Sequence, residues 1–129
     1  MRKLTFLLSL VLLISLAACG GNGDTGGTGE GDPAAGETVF NGVASPACNT
    51  CHSLEPGVTL VGPSLSNIGA VAGDMVSGQS AEEYLHESVV EPNAYIVEGF
   101  PANVMPTNYG SQLTDQQITD LVAYMLTLK

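Results

Sequence analysis

Cys48, Cys51 and His52 fall within five positions, in the stretch PACNTCHSLEP that begins at Pro46. Two thiols in CxxC spacing followed at once by an imidazole suit three chemistries: a zinc site, a redox disulfide, or covalent attachment of haem. A closed zinc site asks for four Cys or His ligands, and outside this motif the chain offers only His86 and the N-terminal Cys19. A thioredoxin-like pair sits at a strand-to-helix junction of an α/β fold, and the sequence carries no βαβ pattern. A structural Cys48–Cys51 disulfide closes too small a loop to constrain the chain. One covalent haem c uses all three residues, because two thiols add across the porphyrin vinyl groups while the next residue directs its imidazole at the iron.

The second axial ligand decides the function: a filled sixth position gives electron transfer, an open one ligand binding or catalysis. Met105 stands in GFPANVMPTNYG directly before Pro106, and a following proline holds the preceding residue extended. Met105 is therefore the expected ligand. Met125 lies at an apolar position of the last helical pattern, where packing is its expected role. Met75 sits in a loop closer to the haem motif, and position alone does not dismiss it. His86 has Glu82 and Glu83 one turn back and Glu87 beside it, the surroundings of an exposed histidine.

These residues must be positioned by helices. Asp32 as N-cap and Pro33 at the first helical position open a helix that ends near Gly42. A weaker helix falls in SLSNIGAVAG. Ser80 and Glu83 form a capping box for a helix stopped by Pro92, and Thr114 with Gln117 form another for a helix carrying Ile118, Leu121, Val122, Met125 and Leu128 at helical spacing. The interval from Pro92 to Leu113 lacks regular pattern, which in a small domain points to a functional loop or an internal ligand. The expected fold class is all-α, with helices and long loops wrapped around the cofactor. A large apolar macrocycle would supply core that 5% aromatic residues do not.

The first 18 residues read as a signal peptide: Arg2 and Lys3 precede the apolar run from Leu4 to Ala18, shorter than the roughly 20 residues a bilayer span needs. The ending Leu16-Ala17-Ala18-Cys19 resembles a bacterial lipobox, which makes Cys19 the expected lipidated first residue of the mature chain. Residues 19–32 form a Gly-rich flexible linker with an average reach of about 20 Å, and residues 33–129 form one domain. The expected location is the outer, periplasmic or extracytoplasmic face of the cell membrane. Without Arg2 and Lys3, 13 acidic residues face Lys129 alone, a formal charge of −12. Nucleic acid is excluded as a partner, and an electrostatic partner must present a basic docking face.

From Asp32 to Lys129 the chain resembles the class I monohaem cytochromes c. CxxCH is followed by GPSL at Gly62 to Leu65, similar to the family's Gly-Pro-x-Leu, which implies that the Pro63 carbonyl accepts the proximal imidazole proton and steadies His52. Gly36, Phe40, Leu121 and Tyr124 match the family's crossing of first and last helix. The stretch from Glu91 to Leu128 is similar to cytochrome domains fused to subunit II of haem-copper oxidases, where the methionine before proline is the distal ligand, as Met105 is here. The lysine ring of the mitochondrial members is missing, so the partner surface must differ.

An acidic, glycine-tethered monohaem lipoprotein is similar to the small cytochrome subunit of alternative complex III. The resemblance implies outer-sphere electron transfer in a respiratory or photosynthetic chain, as a subunit of a quinol-oxidising complex that passes electrons to a downstream acceptor, rather than enzyme activity of its own. The alternatives are a free-standing tethered carrier to a terminal oxidase or reaction centre, and a haem sensor or peroxidase-like enzyme, for which no distal acid or base is apparent.

Overall fold

The computed structural model describes residues 30–129. The expected signal peptide, Cys19 and most of the linker lie outside the described residues. Within them the chain is helical, without a strand, as the capping and periodicity signals require. No described helix is long and apolar enough to cross a membrane.

Helix α1 (Pro33–Gly42) starts where Asp32 accepts a hydrogen bond from the Ala34 amide, with Pro33 in the first turn. Its fixed φ and missing N–H cost nothing there. Helix α2 (Ile68–Val71) is a single turn that runs on into a 3-10 turn at Ala72–Asp74. Helix α3 (Ala81–Val90) and, further on, a 13-residue helix at Asp115–Thr127 each carry a complete capping box, Ser80 with Glu83 and Thr114 with Gln117. Between them the segment expected to be irregular contains a four-residue helix, α4 (Tyr109–Gln112), so the Asp115–Thr127 helix is α5. Nothing periodic marks so short a helix. It is held from outside, with Tyr109 buried and Gly110 lying over Val90 of α3.

The core forms where α1 crosses α5. Gly36 meets the carbonyl of Asp120 and the Cβ of Tyr124 so closely that no side chain fits there, which lets the two backbones approach. Next to this contact the rings of Phe40 and Tyr124 pack in a tilted pair with centroids 5.6 Å apart, and Phe40 and Leu121 are the most deeply buried large side chains. Burial of each contributes about 1.5–3 kcal/mol. Helix α3 adds Tyr84, Leu85 and Val89 from its apolar face. Gly69 of α2 packs on the end of α5, where its amide donates to the Leu128 carbonyl at 2.9 Å and its carbonyl accepts from Lys129 Nζ at 2.9 Å.

The last two linker residues belong to this packed body. Gly31 abuts Thr119 and Ala123 of α5, and the Asp32 amide donates to Asp120 Oδ1 at 2.8 Å. Asp120 is the buried charged residue of the described chain, and Gln116 Nε2 donates to the same oxygen.

Candidate cofactor site

The segment after α1 tightens into a 3-10 turn at Cys48–Thr50, and the amides of Cys51 and His52 both donate to the Cys48 carbonyl. This winding brings Cys48, Cys51 and His52 to the wall of one cavity, and both thiols are free. Burial pushes the Cys48 thiol up from its ordinary value, offset in part by a backbone hydrogen bond and reinforced by Cys51.

After His52 the chain makes a closed loop. Gly62 N–H donates to the Cys51 carbonyl and Leu65 N–H to the Ser53 carbonyl, each at 2.9 Å, while Ser64 Oγ donates to the Glu55 carbonyl within. The closure returns Pro63 to the imidazole, whose Nδ1 lies 2.9 Å from the Pro63 carbonyl oxygen. A carbonyl can only accept, so Nδ1 carries the proton and Nε2 keeps its lone pair. Burial lowers the His52 pKa, with the Pro63 bond opposing it, which favours the neutral ring whose Nε2 can bind a metal.

The cavity and its open mouth together take in about 1120 Å³ of space, solvent included. Phe40, Leu85, Val89, Leu121 and Met125 supply walls from α1, α3 and α5. The Pro92–Leu113 segment supplies Ile96, Phe100, Val104 and Met105 among others, and the loop after His52 supplies Val61, Gly62, Pro63 and Leu65. No Asp, Glu, Lys or Arg lines it. Apart from His52, its titratable lining groups are phenols and thiols, and an apolar ligand is favoured over a charged one.

The structure thus brings together Cys48, Cys51, His52, Pro63 and Met105. Met125 is also on the cavity wall but is a buried α5 core residue, 5% exposed. Met75 is half-buried against the core and does not line the cavity. His86 is exposed on the far side of α3, in a shallow groove among Glu82, Glu83, Glu87 and Glu91. Cys19 lies outside the described residues.

Tyr109 and Gly62 belong to the site as well, although no sequence motif marks their roles. Tyr109 lines the cavity and is 4% exposed; the signal for it is an aromatic four residues past Met105, in a stretch too short to show periodicity. A Cβ on Gly62 would lie 2.5 Å from His52 Cε1, so the loop can pass the imidazole only without a side chain at that position.

These residues fit haem c. The walls suit an apolar macrocycle, two free thiols stand beside an imidazole with one uncommitted nitrogen, and a thioether reaches the same space. The cytochrome c family model matches residues 33–129. Over 104 residues the chain is 30% identical to cytochrome c2 iso-1 of Magnetospirillum fulvum, an alignment that spans 71% of this chain and 96% of that protein.

Proposed function

The chain belongs to the cytochrome c family, a membership that brings covalent haem c, electron transfer and redox protein partners, and from that premise we propose that His52 and Met105 are the two axial ligands of one haem. When bound, haem c supplies a one-electron iron couple. Cys48 and Cys51 would hold it covalently, Pro63 fixes the orientation and tautomer of His52, and Met105 would shield the iron from small ligands. The apolar walls exclude water, which with a thioether ligand favours the reduced state.

One observation carries this reading: His52 and Met105, 53 positions apart in sequence, line the same cavity, whereas Met75 and His86 do not. The ferric holoprotein should show a weak far-red sulfur-to-iron band that disappears in Met105→Ala. Persistence of the band in that variant would sink the assignment, and carbon monoxide binding by the wild-type ferrous form would favour a sensor.

The chain acts as a tethered electron-transfer subunit of a quinol-oxidising complex, anchored through lipid on Cys19 and passing electrons to a downstream acceptor. The lipobox-like ending, the glycine-rich tether and the acidic charge support this. Among the described residues Lys129 is the one Lys or Arg, and its Nζ is engaged by Gly69. A partner must therefore bring the basic groups. Co-purification with a membrane complex after gentle detergent extraction is expected; recovery as a lone lipoprotein would favour a free-standing carrier.

A further inference from the structure

Two segments far apart in sequence are fastened together beside the cavity by three hydrogen bonds. The Gln112 side chain grips one residue at both ends: its Oε1 accepts from the Ser45 amide at 3.0 Å and its Nε2 donates to the Ser45 carbonyl at 3.1 Å. The Tyr109 hydroxyl donates to the Pro46 carbonyl at 2.9 Å. Tyr109 and Gln112 are three apart on α4, so they project from one side of it. Their targets are the consecutive residues immediately before the Cys48 turn, a stretch with no helix or strand to satisfy its backbone.

We propose that Tyr109 and Gln112 are positioning residues for Met105, bracing the segment that carries it against the backbone that delivers Cys48. The inference rests on the His52/Met105 reading above. Met105 is four residues before Tyr109 in the same connection. On the other side, Cys48 is fixed to the cofactor. A brace between α4 and residues 45–46 therefore links Met105 to the covalently anchored half of the site through a short path. Upstream of Met105 the segment has a separate tie, the Asn103 amide donating to Asn93 Oδ1 at 2.7 Å, which stays within the segment.

A thioether is a neutral, weak donor, so its hold on the iron depends on how rarely its loop opens. Each brace bond shifts such an opening equilibrium by roughly 2- to 10-fold. The Tyr109 bond is the more protected, since that side chain is buried while Gln112 is exposed. Both are side chain-to-backbone bonds, so the loss of either donor or acceptor at 109 or 112 matters directly.

The test titrates the ferric holoprotein with imidazole and follows the far-red band. Gln112→Leu and Tyr109→Phe should each lose the band at imidazole concentrations roughly 2- to 10-fold lower than the wild type. Ser80→Ala, which removes the α3 cap away from both braced segments, should lower thermal stability and leave the imidazole midpoint in place. Amide exchange at Ser45 should be slow in the wild-type holoprotein and accelerate in Gln112→Leu. Unchanged imidazole midpoints in both brace variants, an equal shift in Ser80→Ala, or fast Ser45 exchange in the wild type would overturn the brace while the ligand assignment stands. A wild-type spectrum without the band would instead overturn the Met105 assignment and the positioning role with it.

Discussion

Gly62 lies against the face of His52 so closely that an added Cβ would sit 2.5 Å from Cε1, 2.9 Å from Nδ1 and 3.0 Å from Nε2. The ring cannot simply swing aside, because Nδ1 is held by the Pro63 carbonyl one residue further on. Gly62→Ala should therefore break the His52–Pro63 bond or displace the loop, costing about 1–3 kcal/mol in overpacking. Urea unfolding of the holoprotein would measure the loss, and a shift in redox potential would report the altered imidazole. A variant with wild-type stability and potential would show that the loop yields freely.

The glycines of α1 should behave in opposite ways. Gly36→Ala drives a methyl into the Asp120 carbonyl and the Tyr124 side chain, neither of which is a flexible tip, and should destabilise by about 1–3 kcal/mol or more. Gly42→Ala meets nothing within 4 Å and should stabilise by about 0.4–1 kcal/mol by restricting the unfolded chain. Thermal unfolding of the two variants side by side should give midpoint shifts of opposite sign.

Helices α1, α3 and α5 were legible in the sequence because their signals are local: a cap, a proline or an N3 glutamate lies within a few residues of the helix it starts. The haem motif was legible for the same reason. Helix α4 was not, because Tyr109 and Gln112 are placed by partners 63 and 67 positions away. Asp120 likewise looks like a solvent-facing residue of α5 until the Asp32 amide, 88 positions away, is found against it. Gly31 shows the limit most plainly. Glycine suits both a loose tether and a tight approach, and only the neighbouring Thr119 and Ala123 identify the second.

Asp120 should prove structural through its acceptor oxygen. Its Oδ1 receives the Asp32 amide and Gln116 Nε2, both at 2.8 Å, and the side chain is 7% exposed. Asp120→Ala leaves the Asp32 amide without that partner and should cost about 1–3 kcal/mol, with faster exchange of the Asp32 amide. Asp120→Asn keeps an oxygen at the same place and should lose less. Equal losses in the two variants would assign the effect to charge.

The α3 capping box gives the acid side of the stability curve a defined contribution. Glu83 is held below its ordinary pKa of 4.5 by hydrogen bonds from the Ser80 amide and the Ser80 side chain. The folded protein therefore binds fewer protons at this site than the unfolded chain. The stabilisation is present above the unfolded value and is lost as the pH falls through the lower folded value. Glu83→Gln can still accept from the Ser80 amide but cannot titrate. Its stability between neutral pH and the region below 4.5 should fall less steeply than that of the wild type, and parallel curves from denaturation at several pH values would refute the linkage.

Met105 and Met125 line the same cavity and should be separable by what each substitution removes. Met125 is 5% exposed on the core face of α5, so Met125→Ala should cost about 2–5 kcal/mol, the transfer and cavity terms of a buried methionine. Met125→Leu, which nearly conserves volume, should cost less than about 1.5 kcal/mol. Both should keep the far-red sulfur band. Met105 is only half-buried and sits in an irregular segment, so Met105→Ala should lose the band with a smaller packing loss than Met125→Ala. A thioether that serves as core is replaceable by leucine; one that serves as a ligand is not. Met105→Leu should thus resemble the wild type in packing yet lack the band and bind carbon monoxide when reduced, and retention of the band in Met105→Leu would transfer the ligand role to another sulfur.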